Sequence, residues 1–193
     1  MGSRTRDLPP LTGIAGLLRE LRYQEVARQG IGLLLMPVYA LLCRPLPGLF
    51  LAGAVLAVAG ALVRLYASGY ITKNQELATV GPYSLVRHPL YTGNLLLLAG
   101  FTLASGLWWA VLLSLLFWWF YYPTAIEYED RKLRRIFGQP CADWQQATPA
   151  VIPSGLVPKR GGSWSLRTSM SRNAEPLVLA YSAFWLGWIY WQL

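Results

Sequence analysis

Apolar residues in this chain gather into runs long enough to cross a bilayer, divided by short polar segments rich in Pro and Gly. Ahead of the first run, Ile14, Leu17, Leu18, Leu21 and Val26 alternate with Arg19, Glu20, Arg22, Glu25 and Arg28. That spacing predicts an amphipathic helix over 14–28, lying either on a membrane surface or against the protein itself. Residues 1–12 read as a frayed tail, so 1–29 forms a cytoplasmic tail with an interfacial helix, and 30–193 forms the membrane domain. Within that domain the candidate spans are 30–48, 49–71, 89–105, 106–126 and 176–193. The last is barely long enough, and a four-span version leaves it interfacial.

The punctuation between spans is specific. Cys43-Arg-Pro-Leu-Pro-Gly48 predicts a tight external turn, and Ser105-Gly106 closes a hairpin of spans. Gly53, Ala57, Gly60 and Ala61 give the second span small faces on which another helix can pack closely. Arg64, near that span's inner end, is expected to snorkel to the cytoplasm, with a buried role as the alternative. Trp108 and Trp109 lie at one end of the fourth span and Trp118 to Tyr122 near the other, the arrangement of an aromatic belt. A charged helix continues from Glu127 to Phe137 and stops at Gly138, and 139–175 is expected to be mostly loop.

Composition turns this pattern into a class. A hydrophobic share of 54% with 13% charged residues is too apolar for an ordinary soluble domain. The expected fold is all-α: a polytopic membrane protein of about five transmembrane helices with a cytoplasmic cofactor pocket. The formal charge is +8, and all Lys and Arg except Arg44 and Arg64 fall on one side of this topology. The positive-inside rule makes that side cytoplasmic, and the excess faces anionic headgroups rather than nucleic acid. Cys43 and Cys141 fall near opposite faces and cannot pair, and without a CxxC or Cys/His cluster no metal site is expected. The first thirty residues carry Arg and Glu rather than a short apolar core, so no cleavable signal is evident.

Chemistry is confined to two polar clusters. The first lies in Val80-Gly-Pro-Tyr-Ser-Leu-Val-Arg-His-Pro-Leu-Tyr-Thr-Gly-Asn94, which holds the chain's one histidine. Tyr83, Arg87, His88, Tyr91 and Asn94 gather there, and a helix from Pro89 puts His88 at its N-cap. Free N–H groups at that end, assisted by Arg87, suit a carboxylate or phosphate. The second cluster is Glu127-Tyr-Glu-Asp130, whose carboxylates suit ribose hydroxyls or a cationic amine. The alternative for each is a solvated cap at a membrane interface, which weighs more for Glu127 and Asp130 than for His88. No Gly-x-Ser-x-Gly, Walker or HExxH motif is present.

The first cluster resembles the Arg-His-Pro-x-Tyr-x-Gly signature of the integral membrane methyltransferases, the group of isoprenylcysteine carboxyl methyltransferase and the phospholipid N-methyltransferases. Glu129-Asp130, Leu133, Phe137-Gly138, Trp144 and Pro149-x-x-x-Pro153 are similar to that family's second block. Together the blocks cover roughly residues 78–153. The resemblance implies S-adenosyl-L-methionine as cofactor, with His88 and Tyr91 at its methionine end and Gly93 admitting the backbone. It implies Glu129 on the amino group or ribose, with Asp130 where the family usually has a second Glu, and Arg87 and Asn94 beside them.

Gln146-Ala147 stands where the prenylcysteine enzymes carry a basic residue, which argues against carboxyl methylation of prenylcysteine. Arg172, Asn173 and Glu175 are the remaining polar group near the inner surface; Arg172 and Glu175 are the candidates for catalysis on the acceptor side. The same residues also fit a positive flank with a helix starting at Pro176. The expected function is methyl transfer to a lipid or other hydrophobic acceptor, at the cytoplasmic face of a bacterial inner membrane. An NADPH-dependent membrane reductase of the sterol-reductase type, or a non-enzymatic membrane binding protein, are the alternatives. Neither the acceptor nor the oligomeric state is legible in the sequence.

Overall fold

The computed structural model describes residues 4–70, 76–171 and 174–193. The order is α1 (Gly13–Tyr23), α2 (Glu25–Leu41), α3 (Pro47–Ser68), a short 3₁₀ turn (Pro82–Ser84), α4 (Pro89–Ser105), α5 (Trp108–Phe137), α6 (Gln139–Ala147), α7 (Leu166–Ser171) and α8 (Glu175–Trp191). Among the described residues there is no strand, and one antiparallel bridge joins Gly81 to Lys159.

Several boundaries differ from the sequence reading. The helix expected over 14–28 breaks at Gln24, whose backbone is extended (φ −74°, ψ 111°). Glu25 and Arg28 therefore belong to the first apolar helix, α2, rather than to the surface helix. The stretch 139–175 is mostly loop, as expected, with 148–165 irregular, but two short helices, α6 and α7, form within it. Gly138 does end α5, at φ 62°, a conformation that glycine adopts without penalty. Ile71, the end of the second candidate span, lies outside the described residues.

Glycine brings α3 and α4 into backbone contact. A Cβ on Gly60 would stand 2.6 Å from the Gly93 carbonyl oxygen, and one on Gly100 would stand 2.6 Å from the Ala57 nitrogen. Gly53 faces Gly100 and Ala104 in the same way. No larger residue fits this seam, the small-residue packing that helices use where lipid supplies no hydrophobic drive. Beyond it, Tyr39, Leu97, Phe101 and Ile189 are fully buried between α2, α4 and α8. Ser114 hydrogen-bonds both Tyr39 (2.8 Å) and Thr102 (2.7 Å), so these buried hydroxyls satisfy one another.

The outer surface is apolar. α3 and α5 are long and apolar enough to cross a membrane, with mean hydropathy 2.1 and 1.4, yet only 22% and 33% of those windows is buried. Leu51, Val55, Val58 and Leu62 on α3, and Leu112, Leu115, Leu116 and Trp119 on α5, project outward. Water would penalise so much exposed apolar surface, whereas acyl chains would not. The polar half of α1 meets the other end of α5: Arg22 Nε donates to the Phe120 carbonyl (3.0 Å) and Tyr23 to Glu127 (2.8 Å). Its Ile14, Leu17 and Leu18 stay exposed, so the helix packs on the protein and presents an apolar face outward at once.

Arg64 does not snorkel. It is buried and forms a bidentate pair with Glu175 at the start of α8, Nη2 to Oε1 at 2.8 Å and Nε to Oε2 at 3.2 Å. Ser68 donates to the same carboxylate at 2.9 Å, and Arg64 Nη1 donates to Asn94 Oδ1 at 2.6 Å. The pair ties α8 to the α3–α4 seam. Tyr181, donating to the Leu33 carbonyl at 2.9 Å, ties it to α2.

Candidate active site

The site is built where two polar blocks, forty residues apart in sequence, meet at one carboxylate. Gly81, at φ 57°, opens the 3₁₀ turn, and His88 caps α4 with Pro89 in its first turn. Backbone bonds from Arg87 to the Pro149 carbonyl (2.8 Å) and from His88 to Ala150 (2.9 Å) hold the segment after α6 alongside. Thr92 adds a bond to the Val151 carbonyl at 2.7 Å, and Trp144 Nε1 donates to the Tyr83 carbonyl at 3.1 Å.

Asp130, on the polar extension of α5, accepts from Arg87 Nη2 (2.7 Å) and Nε (3.3 Å) and pairs with His88 Nε2 at 2.9 Å. Burial pushes its carboxyl up, but the hydrogen bond and charge of His88, then those of Arg87, outweigh that and hold it below the ordinary 3.8. An ionised Asp130 is acceptor-only, so His88 Nε2 carries the hydrogen. Arg87 Nη1 also donates to the carbonyls of Gln145 and Thr148, each at 2.7 Å. Arg87 and Asp130, expected beside the cofactor, are thus committed to holding α4, α5 and α6 together.

A cavity of about 840 Å³ opens beside this joint. Its polar mouth is lined by His88, Tyr83, Glu129 and Lys132, and its apolar depth by Leu35, Leu97, Phe101 and Phe117. The His88 ring stacks on Tyr91 at 5.4 Å between centroids, and Tyr91 meets Tyr122 edge-on at 5.3 Å. Asn94 lines the wall with its oxygen turned to Arg64. Glu129 points into the mouth, with no hydrogen-bond or ion-pair partner among the described residues. The Tyr83 hydroxyl is buried without a partner, and burial with the charges of Glu129 and Glu175 raises its pKa far above 10.0. It is therefore a neutral O–H donor on the cavity wall with no protein acceptor among the described residues.

The other expected site residues lie elsewhere. Gly93 is not on the cavity wall; it faces α3, where a Cβ would stand 2.7 Å from the Gly60 carbonyl oxygen. Glu175 is fully buried against Arg64 and also off the wall. Arg172 lies outside the described residues. Sequence reasoning passed over Arg28, a buried cation on the cavity wall over the faces of Tyr91 (4.9 Å) and Tyr122 (5.4 Å). Its signal was a lone arginine at the head of an apolar run, disguised by assignment to the surface helix. Among the described residues no group of His, Cys, Asp and Glu could hold a metal.

The chain matches 138 residues of the cobalt-zinc-cadmium resistance protein CzcN of Cupriavidus metallidurans at 37% identity, over 70% of this chain and 60% of that one. It matches the nickel-cobalt-cadmium resistance protein NccN of Alcaligenes xylosoxydans xylosoxydans at 38% identity, over 70% of this chain and 61% of that one. The matched stretch thus spans about 60% of the length of either relative. No solved structure matches. The sequence model of the phospholipid methyltransferase family matches residues 39–140, from the buried end of α2 through the Arg87–His88–Asp130 joint to the start of α6. This membrane protein belongs to the phospholipid methyltransferase family.

Proposed function

We propose that this chain is an integral membrane methyltransferase that uses S-adenosyl-L-methionine to methylate a lipid or other hydrophobic acceptor at the cytoplasmic interface. The observation that carries the reading is one continuous cavity with a polar mouth and an apolar depth. A charged cofactor from water and an apolar acceptor from the bilayer can meet in it without either crossing the other's medium. The donor set fits the cofactor: an unpaired Glu129 for its ammonium group, an orphan Tyr83 hydroxyl, and ring faces at His88 and Tyr91. When bound, S-adenosyl-L-methionine supplies an electrophilic methyl group on a sulfonium whose charge disappears on transfer. Alignment is then the main demand on the protein. The Arg87–Asp130–His88 joint meets it by fixing the His88 ring, and Phe101 and Phe117 keep water from the deep end.

In the topology that goes with this reading, α2, α3, α4, α5 and α8 span the bilayer. Seventeen-residue helices such as α2, α4 and α8 reach about 25 Å, close to the hydrocarbon thickness. The basic loops and the cavity mouth then face the cytoplasm of a bacterial inner membrane. The names of the two relatives point to survival under metal stress, a setting in which a change to the lipid or hydrophobic acceptor would act on the membrane rather than on the ion.

Calorimetric titration of detergent-solubilised protein with S-adenosylhomocysteine, with NADPH alongside, tests the reading. Saturable binding of the former alone supports it, and a Glu129→Gln variant should bind roughly tenfold or more weakly while staying folded. NADPH binding alone would give the site to a reductase, and equal affinity in the variant would remove Glu129 from it.

A further inference from the structure

Arg28 is a buried charged group on the cavity wall that the cofactor reading leaves unused. Its side chain is 7% exposed, in the first turn of α2, and it lines the cavity together with the polar residues of the mouth and the apolar residues of the depth. The Tyr91 and Tyr122 rings face the guanidinium, and their hydroxyls are within hydrogen-bond reach. Neutral phenols share its hydrogens without cancelling its charge. The nearest carboxylate, Glu25, stands 4.0 Å away and is already held by Arg4 and by Gln29. A cation this deep is costly unless an anion joins it, and a planar fork of donors matches carboxylate or phosphate. Leu35, Leu97, Phe101 and Phe117 line the apolar slot of the same cavity.

We infer that Arg28 is a specificity-determining residue that binds the carboxylate or phosphate of an anionic amphiphile, whose hydrocarbon tail fills the slot between α2, α4 and α5. The inference rests on the cavity being the acceptor site of the proposed methyltransferase. It narrows the acceptor from any hydrophobic molecule to one carrying an anion at the head of its tail. Of the other cations on the wall, Arg64 is held by Glu175 and Arg87 by Asp130, and Lys132 stands on the polar extension of α5.

The test titrates amphipol-stabilised protein with dodecanoate, dodecyl phosphate and dodecanol, and separately with S-adenosylhomocysteine. The wild-type protein should bind either anion roughly tenfold or more tightly than the alcohol. Arg28→Gln should bring all three to the affinity of the alcohol and leave S-adenosylhomocysteine binding unchanged, which also reports that the variant is folded. Arg28→Lys should keep the preference for anions in weaker form. A wild-type protein without preference overturns the inference before any variant is made. A Gln variant that keeps the preference but loses S-adenosylhomocysteine reassigns Arg28 to the cofactor's carboxylate and also overturns it. A Lys variant that loses the preference as fully as Gln makes the role one of packing, with the same result. Preference for anions in protein that never binds S-adenosylhomocysteine would uphold the anion site and sink the methyltransferase reading alone.

Discussion

Removing Glu175 tests whether this residue does chemistry or holds the fold. Its carboxylate is fully buried and takes two bonds from Arg64 and one from Ser68. Glu175→Ala removes both carboxylate bonds from the Arg64 guanidinium, which keeps the Asn94 oxygen at 2.6 Å, and removes the carboxylate to which Ser68 donates. An uncompensated buried charge of this kind costs about 3–5 kcal/mol. Glu175→Gln keeps an acceptor and removes only the charge, so about 1–3 kcal/mol is expected. The double variant Arg64→Met, Glu175→Leu removes both charges while keeping apolar stems, and should recover most of the loss. Unfolding of protein in mixed micelles, titrated with a denaturing detergent, measures all three against the wild type. Substantial positive coupling between the two positions, and activity that follows stability, are the expected results. If Glu175→Ala unfolds like the wild type yet loses turnover, the carboxylate works on the acceptor and the structural argument is wrong.

Two further outcomes follow from the seam and the joint. Gly53→Ala should destabilise by about 1–3 kcal/mol or more in the same unfolding assay, because its Cβ runs into the backbone of Gly100 and Ala104; Gly30→Ala, where a Cβ meets nothing within 4 Å, should not. Asp130→Asn should lower stability at neutral pH. Its folded carboxyl has a pKa below the unfolded 3.8, so its contribution is complete above that value and disappears as pH falls through the lowered one. The gap between wild type and variant should therefore close in acid, and a gap that widens there would contradict the Arg87 and His88 pairing.

The sequence made the helices and the site's two blocks legible for physical reasons. Apolar runs bounded by Pro and Gly leave few choices, and α4 begins at Pro89 and α5 stops before Gly138 as that punctuation requires. Family pattern placed Arg87, His88 and Asp130 in one neighbourhood. It could not say that they would bond to each other, since pairing is decided by how α4 and α5 meet in space. Arg64 and Glu175 were misjudged together. Each alone looks like an interfacial charge, and only the docking of α8 on α3, residues 111 apart, makes them a buried pair. The break at Gln24 carried no Pro or Gly to announce it, and it hid Arg28 in what read as a surface helix.

That hidden residue completes a consistent electrostatic layout. Arg87 meets Asp130, Arg64 meets Glu175 and Arg4 meets Glu25, so three of the four arginines that line the cavity are paired with carboxylates that hold the fold in place. The wall also holds groups of opposite sign that no such pair absorbs: Glu129, without a partner among the described residues, and Arg28, which faces two neutral rings with Glu25 4.0 Å away. A ligand that carries a cationic amine meets the first, and one that carries an anion meets the second. An enzyme joining a water-borne sulfonium to an acceptor from the bilayer needs such a separation, because each partner must reach its own depth before the two reactive atoms align. The structural pairs, by contrast, could be exchanged for well-packed apolar residues with little change in stability, whereas on the proposed reading an apolar substitution at Glu129 should weaken S-adenosylhomocysteine binding and one at Arg28 the preference for anionic amphiphiles.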